Sequence, residues 1–348
     1  MSTIRGFVGT YTREESKGIY TFKLDTEKKT LSQPEVAAEA GNPTYLAVSR
    51  DNRHLYSVIR KGRAGGVAAW RIEDGRLKKS GEQLSEGAAP CYVAVDPDNR
   101  YVLSGNYHRG TADLYPVDSG TGIASPVDTD YHQGSSANPD RQEGPHVHFA
   151  DFTPGQPYIV TIDLGTDQLT TYQIDGQRLK VLSLLDFPAG TGPRHIAFHP
   201  QAPVAYVVSE LSNELFTLDF RAATGEFSIS QAVGTLPADY GGQSSGAAVK
   251  ISPDGRFVYV SNRGHNSIAV FQTEADSGKV TPAGYVSAGG SWPRDIEIDP
   301  SGHFLIAANQ YSGNVVLFER DVESGRLTET GSVIQVPEAV CVKFLYES

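Results

Sequence analysis

A turn motif recurs along this chain at a nearly constant interval. Clusters rich in Pro, Gly, Asp and Asn begin at Ser49, Asp96, Phe152, His199, Ser252 and Asp299. Successive clusters are 47, 56, 47, 53 and 47 residues apart. Around the copy at Ser252 lie the segments "AAVKIS", "FVYVSN", "SIAVFQT" and "VTPAGYVS", which alternate as half-buried strands do. Four short strands in a unit of about 47 residues predict the blades of a β-propeller.

The two ends of the sequence together supply the strands of one further blade, in addition to the blades that the turn clusters mark. Residues 4–40 hold three strand-like segments, and the chain stops just after a fourth, "PEAVCVKFLYE". We predict that the strand near Ala339–Phe344 pairs with the strand near Gly6–Thr10, which removes the open edges of the ring. The predicted fold class is all-β, a seven-bladed propeller of four-stranded antiparallel blades. It forms one domain over residues 1–348.

Charge and composition narrow the class of partner. A net charge of −11 argues against a nucleic-acid partner, although a pocket with local arginines could still bind a small anion. The N-terminal stretch has no apolar leader and no long apolar run follows, so neither export nor a membrane partner is expected. Cys91 and Cys341 sit in apolar runs and are expected to be reduced core thiols. We therefore predict a cytoplasmic protein with no obligate protein partner.

Strand direction assigns the polar residues to one face of the propeller. In an antiparallel blade, the loop before the first strand and the loop after the second strand share a face. Two insertions, residues 131–144 and 236–245, precede first strands and belong to this face, where long loops commonly carry function. Strand ends there are predicted to present Thr44, Cys91, His146, Arg194, Arg294, Glu338, Tyr11, Arg60, Asn106, Asp163, Glu210, Arg263 and Gln310.

Five of these residues carry the strongest chemistry: His146, Asp163, Arg194, Glu210 and Arg263. They are compatible with substrate binding at the channel mouth. They are equally compatible with an ion network in which the arginines only neutralise the carboxylates.

Three further polar residues are interpreted by their neighbours in the sequence. His148 lies two residues beyond His146 and is expected on the same strand face. Arg294 is followed by Asp295, so it is interpreted as a structural ion pair, and Arg60 is interpreted as a solvated surface residue.

Several catalytic signatures are absent from the sequence. There is no phosphate-binding loop, no dinucleotide-binding glycine motif, no GxSxG elbow and no HExxH. The "HVH" segment has no third ligand that the spacing would place beside it. We predict neither a bound metal nor a cofactor.

The sequence resembles the seven-bladed lactonase family along essentially its whole length. The resemblance is carried by "GPHVHF", "GPRHIAFHP", "VVSELSNEL", "DGRFVYVSNRGHNSI" and "WPRDI". Members of the family include a bacterial 6-phosphogluconolactonase and the fungal 3-carboxy-cis,cis-muconate lactonising enzyme. The resemblance implies a lactone site built from a histidine, a glutamate and arginines. Matched motif by motif, these are His146, Glu210, Arg194 and Arg263.

The implied function is hydrolysis of an anionic sugar lactone, 6-phosphogluconolactone, to 6-phosphogluconate. Hydrolysis needs an activated water, stabilisation of the oxyanion and a proton for the leaving alkoxide. Either Glu210 or His146 can act as the base, with the other as the acid. Arg194 and Arg263 can bind the phosphate or the oxyanion, because guanidinium groups match both. The remaining predicted substrate-binding residues are Asp163, Asn262 and His148.

Two alternatives of different class remain open at this point. The first is another enzyme on the same scaffold, either a lactonising enzyme or a divalent-metal lactonase; the metal enzyme would use oxygen ligands from Glu210, Asp163, Asn106 and Asn262. A non-enzymatic propeller that binds a protein partner ranks third, because the convergence of ionisable groups on one face favours an enzyme.

Overall fold

Antiparallel strands and short connections make up the chain. The structure is a computed structural model that describes residues 3–346, and these form 29 strands. Over that range no helix has the length and apolar character needed to cross a membrane. The expectation of an all-β propeller with seven blades is confirmed.

Both ends of the chain build one blade, here called blade 7. Its strands are β1 (Thr3–Thr10), β2 (Gly18–Asp25), β3 (Thr30–Leu31), β4 (Glu35–Glu39) and β29 (Ala339–Phe344). The antiparallel pairing of β1 with β29 places Gly6 opposite Phe344 and Thr10 opposite Ala339, so the predicted closure is confirmed. The fourth strand of this blade is divided into β3 and β4, which both pair with β2. Pro34 lies in the gap between them and has no N–H for a ladder hydrogen bond.

Each of the other six blades consists of four consecutive strands. Blade 1 contains β5 (Leu46–Val48), β6 (His54–Lys61), β7 (Ala64–Glu73) and β8 (Arg76–Glu86). Blade 2 contains β9 (Tyr92–Val95), β10 (Tyr101–Asn106), β11 (Thr111–Pro116) and β12 (Asp128–Tyr131). Blade 3 contains β13 (Val147–Phe152), β14 (Tyr158–Asp163), β15 (Gln168–Asp175) and β16 (Arg178–Asp186). Blade 4 contains β17 (Pro193–Phe198), β18 (Val204–Ser209), β19 (Glu214–Arg221) and β20 (Glu226–Gly234). Blade 5 contains β21 (Ser245–Ile251), β22 (Phe257–Arg263), β23 (Ser267–Thr273) and β24 (Val280–Ser287). Blade 6 contains β25 (Pro293–Ile298), β26 (Phe304–Asn309), β27 (Asn314–Arg320) and β28 (Leu327–Gln335). In each blade the strands pair antiparallel in chain order.

Burial differs between the inner and the outer strands of a blade. Every residue of β22 is buried, whereas most residues of β24 are exposed or only partly buried. The second strands therefore read as continuous apolar runs, because neighbouring blades cover both of their faces. The core lies between the blades, around fully buried side chains such as Tyr56, Tyr206 and Tyr259.

The recurring turn joins the first strand of a blade to the second. In the copy at Ser252, the Asp254 carboxylate accepts a hydrogen bond from the Arg256 amide at 3.1 Å, and Gly255 has a φ of 74°. That left-handed conformation favours glycine, which explains the "DG" of this copy. These turns close the face opposite the strand ends that were predicted to carry function.

Candidate active site

A cavity of about 570 Å³ opens at the mouth of the central channel. Its walls come from starts of first strands and ends of second strands, so the predicted face is the one that carries the cavity. The lining residues are Tyr11, Arg13, Asn42, Thr44, Arg60, Ala88, Ala89, Pro90, Cys91, Tyr107, His108, Arg141, His148, Glu210, Ser245, Arg263, Trp292, Arg294, Gln310 and Tyr311.

The charge of this cavity is opposite to that of the whole chain. Among the described residues, its lining contains the arginines Arg13, Arg60, Arg141, Arg263 and Arg294 and one carboxylate, Glu210. The protein as a whole carries a net charge of −11. Concave sites lined by one sign of charge concentrate ligands of the other sign, so the positive lining of this cavity favours an anionic ligand.

Glu210 is the centre of a buried ion network. One carboxylate oxygen, Oε2, lies 2.7 Å from Arg263 Nη2 and 3.0 Å from Arg194 Nε. The other oxygen, Oε1, contacts Arg141 Nη2. Burial alone would raise the pKa of Glu210, but the guanidinium groups of Arg263 and Arg194 hold that pKa well below its usual range. Both oxygens are therefore engaged, and the carboxylate holds its proton only weakly.

Arg194 lies behind this network and not in the wall of the cavity. It is 2% exposed, and its Nη1 donates to the Ala247 carbonyl at 2.5 Å. Burial, together with Arg263 and Arg294, lowers the pKa of Arg194 to about 9. Arg194 contacts Glu210 but does not line the cavity, so it is not positioned to contact a substrate directly.

Arg263 does line the cavity and has unused hydrogen-bonding capacity. Its Nη2 donates to the Gly246 carbonyl at 2.8 Å as well as to Glu210. Its Nε is buried and has no hydrogen-bond partner among residues 3–346. The guanidinium lies 5.6 Å from the centre of the Trp292 ring, which forms the adjacent wall.

A bulge near the start of the first strand recurs in four blades. The pairing register shifts between Val147 and Phe149 in β13, between Pro193 and His195 in β17, and between Pro293 and Asp295 in β25. A corresponding shift occurs between Gly246 and Val249 in β21. Bulges re-aim side chains and are common beside active sites. In three blades the residue inside the bulge is His148, Arg194 or Arg294, and each lies at or directly beneath the cavity.

His148 presents a neutral imidazole to the cavity. It is 5% exposed, and its Nδ1 is buried with no hydrogen-bond partner in the described part of the chain. Burial and the nearby Arg194 guanidinium hold the pKa of His148 well below its usual value. A neutral imidazole that contacts the ligand space is able to accept a proton, which is the chemistry of a general base.

His146 is placed differently from His148. Its ring stacks on the ring of Tyr107 at 4.1 Å and 4° between planes. Its Nδ1 donates to the Tyr107 carbonyl at 2.8 Å, and its Nε2 lies 3.2 Å from Glu143 Oε1. Tyr107 lines the cavity and His146 does not. The expectation that the two histidines share a strand face is wrong, because the bulge in β13 breaks the alternation.

Asp163 and Asn262 are not brought to the cavity. Asp163 is fully buried, and its Oδ1 accepts hydrogen bonds from the amides of His146, Gly165 and Thr166 at 2.7, 2.9 and 3.1 Å. Asn262 is also fully buried, and its Nδ2 donates to the Thr235 carbonyl at 2.8 Å. Both side chains bind backbone groups of nearby segments and do not line the cavity, so neither is positioned to contact a substrate directly.

The oxygen ligands proposed for a divalent cation do not converge. Asn106 Nδ2 donates to the Ala88 carbonyl at 2.9 Å, and its Oδ1 accepts from the Arg109 amide at 3.1 Å. Glu210 is surrounded by guanidinium groups, which repel a cation. Within residues 3–346, no three His, Cys, Asp or Glu side chains are grouped as metal ligands would be. The donor set therefore does not fit the metal-dependent alternative.

Sequence reasoning missed some wall residues and misread others. Tyr107 directly follows the predicted strand end at Asn106, and Arg141 lies within the insertion 131–144 that was assigned to this face. Arg294 makes no ion pair with Asp295, whose Oδ2 instead accepts from the Val342 amide at 2.9 Å. Arg60 is exposed, as expected, and it also contributes to the wall.

Comparisons with known proteins agree with the fold. A family model described as "Lactonase, 7-bladed beta-propeller" matches residues 5–344. The chain is 48% identical to the 6-phosphogluconolactonase of Bacillus subtilis over 349 residues, which covers all of both chains. It is similar to a crystal structure from Lactobacillus plantarum, with 40% identity, a TM-score of 0.94 and 99% of each chain covered. The structure of a periplasmic gluconolactonase from Pseudomonas aeruginosa matches with 29% identity, a TM-score of 0.93 and 99% of each chain covered.

A match that spans nearly the whole chain, together with a relative of this identity, places the protein in a family. This chain belongs to the lactonase family of seven-bladed β-propellers.

Proposed function

We propose that this chain is a lactonase that hydrolyses 6-phosphogluconolactone to 6-phosphogluconate. The observation that carries the proposal is the cavity in which five arginines face one carboxylate in an otherwise acidic protein. The relative from Bacillus subtilis, 48% identical over both whole chains, is named a 6-phosphogluconolactonase. A phosphorylated sugar lactone is an anion of the size and charge that such a cavity favours.

In the proposed reaction, His148 is the general base. It takes a proton from a water molecule as the water oxygen bonds to the lactone carbonyl carbon. It returns that proton to the ring oxygen when the carbon–oxygen bond of the ester breaks. A neutral imidazole beside the ligand space suits both steps, because it can accept a proton and then donate it.

Arg263 is the proposed partner of the oxyanion. Its guanidinium is held by Glu210 and by the Gly246 carbonyl, so it is already oriented before a substrate arrives. The Arg263 side chain also lines the cavity. A preorganised donor of this kind stabilises negative charge that develops in the transition state. Glu210 then acts as the counterion that fixes the arginines, and not as the base.

A direct assay tests the proposal. Release of acid from 6-phosphogluconolactone is followed at constant pH with purified protein, and spontaneous hydrolysis in the same buffer is subtracted. His148→Gln, prepared in the same way, is the matched control. We expect the wild type to exceed both the variant and the spontaneous rate. A wild-type rate equal to the spontaneous rate at high protein concentration would refute the proposal.

We also propose that the protein works in the cytoplasm on a small molecule and not on nucleic acid. Cys91 and Cys341 are free thiols, as is usual in a reducing compartment. The net charge of −11 is unfavourable for a nucleic-acid partner. Cell fractionation followed by detection of the native protein tests the location, and recovery in an extracytoplasmic fraction would contradict it.

A further inference from the structure

Two guanidinium groups at the cavity lie on the same aromatic ring. The Arg13 guanidinium carbon is 4.0 Å from the centre of the Tyr11 ring, and that of Arg294 is 5.5 Å from the same centre. All three residues line the cavity. No ion pair within 4.0 Å joins either arginine to a carboxylate of residues 3–346, whereas Arg141, Arg194 and Arg263 all contact Glu210. The positive charges of Arg13 and Arg294 are therefore free for a ligand.

The loop that carries Tyr11 and Arg13 is fixed from two sides. The Thr12 amide donates to Asn42 Oδ1 at 2.9 Å, and the Asn42 amide donates to Thr12 Oγ1 at 3.0 Å. On the other side, Glu338 Oε2 accepts hydrogen bonds from the amides of Arg13 and Glu14 at 2.8 and 3.0 Å. The closure of the ring by both termini thus orders this loop, although Arg13 itself is exposed.

Arg294 reaches the cavity through the same device as two residues of the Glu210 side. It occupies the bulge of β25, as His148 occupies the bulge of β13 and Arg194 that of β17. The bulge in the strand pairing therefore accounts for the position of Arg294 at the mouth, and no ion-pair partner for Arg294 is needed to account for that position.

Aromatic rings line the cavity beside the Arg263 guanidinium. Trp292 lies 5.6 Å from the Arg263 guanidinium carbon, and it stacks on Tyr311 with ring centres 4.8 Å apart and 21° between planes. A sugar lactone phosphate has chemical groups that suit such a lining. It carries an anionic phosphate at one end, a carbonyl that becomes negative at the other, and C–H groups between them that pack on aromatic rings.

We propose that Arg13 and Arg294, held on Tyr11, form the phosphate subsite of the cavity and select phosphorylated over unphosphorylated lactones. This proposal rests on the proposed lactonase function. It places the phosphate on the blade 6 and blade 7 side, and it leaves Arg263 and His148 for the reacting carbonyl. A phosphate monoester is the matching ligand because it carries up to two negative charges and several acceptor oxygens for guanidinium groups.

Substrate discrimination tests the subsite. The ratio of kcat/KM for 6-phosphogluconolactone to kcat/KM for gluconolactone is measured for the wild type, Arg294→Gln and Arg13→Gln. We expect the ratio to fall roughly 10- to 100-fold for Arg294→Gln through a higher KM for the phosphorylated lactone. Arg294→Lys should restore part of the ratio. Arg178→Gln, which removes an exposed positive charge on the outer strand β16, should leave the ratio unchanged.

Titration with the reaction product tests the phosphate subsite independently of the proposed hydrolysis. Calorimetric titration compares 6-phosphogluconate with gluconate on the same variants, and it needs no turnover. If the wild type hydrolyses neither lactone but binds 6-phosphogluconate through Arg294, the proposed function fails and the subsite stands. If the wild type hydrolyses both lactones and Arg294→Gln keeps the wild-type ratio, the subsite is refuted and the function stands. Equal losses on both lactones would also refute it.

Discussion

The Glu210 carboxylate lies 2.7 Å from the Arg263 guanidinium, and both side chains are almost completely buried. Arg194 and Arg141 complete the shell around the same carboxylate. One negative charge therefore holds three positive charges at the edge of a cavity, and the group retains an excess of positive charge. Such an excess of positive charge favours an anionic ligand, and Glu210 fixes the positions of the arginines.

We predict that Glu210→Gln destabilises the protein before it affects the chemical step. Removing one partner of a buried ion network leaves uncompensated charge, which costs about 3–5 kcal/mol of the free energy of unfolding. The measurements are thermal unfolding and single-turnover hydrolysis over a range of lactone concentrations. We expect a lower Tm, a higher lactone concentration at the half-maximal rate, and a rate at saturation close to that of the wild type.

Inorganic phosphate provides the internal control for this variant. An anion bound among the arginines can replace the lost carboxylate charge, so phosphate should raise the Tm of Glu210→Gln more than that of the wild type. Glu226→Gln, on an exposed side chain of β20, is the matched substitution and should change neither property. A stable Glu210→Gln protein whose turnover falls by roughly 10²–10⁴-fold would instead identify Glu210 as the base.

A second prediction separates the two histidines of the "HVH" segment. His148→Gln should lower kcat by roughly 10²–10⁴-fold, because it removes the proposed base from the cavity wall. His146→Gln should have a smaller effect on kcat, because His146 stacks on Tyr107 and donates to its carbonyl but does not line the cavity itself. Steady-state rates of both variants, measured beside their Tm values, check this. A larger loss in His146→Gln than in His148→Gln would reverse the assignment.

The pH dependence of the reaction follows from the same imidazole. A general base must be unprotonated, and the pKa of His148 is held well below its usual value by burial and by Arg194. We therefore expect kcat/KM to stay constant as the pH falls through about 6.5, the ordinary pKa of histidine, and to decline only at lower pH. Initial rates corrected for spontaneous hydrolysis check this. A decline centred on the ordinary value would point to a different imidazole.

The fold could be predicted from the sequence because its determinants are local. Turn clusters spaced by about 47 residues and short alternating segments define a blade without knowledge of any long-range contact. The pairing of β1 with β29 followed from the count of strands, and the structure confirms it. The division of the last strand of blade 7 at Pro34 was not predicted, although proline is a poor residue inside a strand.

The site could be predicted only in part, for a physical reason. Strand direction fixes the face on which a residue lies, and Glu210 and Arg263 were assigned correctly to the face that carries the cavity. The direction of a side chain also depends on bulges, which place His148 in the wall and leave His146 outside it. A bulge results from pairing between strands, so no single segment of the sequence reveals it.

The last prediction concerns Asp151, a partly buried residue on β13 away from the cavity. Its carboxylate accepts hydrogen bonds from the Phe152 amide at 2.7 Å and from the Tyr92 hydroxyl at 3.2 Å. Burial raises the pKa of Asp151 to about 6, against about 3.9 for an unfolded chain. Between these two values the folded state binds more protons than the unfolded state, so this group lowers stability as the pH rises from about 4 to about 6.

Asp151→Asn is neutral at every pH and should remove this cost. We expect the variant to be more stable than the wild type above pH 6, by roughly 1–3 kcal/mol, and the difference to vanish toward pH 4. Asparagine can still accept from the Phe152 amide with its oxygen and donate to the Tyr92 hydroxyl with its nitrogen. Chemical denaturation from pH 4 to pH 8 measures the difference, with the exposed Asp276→Asn as the matched control. A variant that is less stable than the wild type at pH 8 would show that the ionised Asp151 carboxylate stabilises the fold, against the direction expected from its burial.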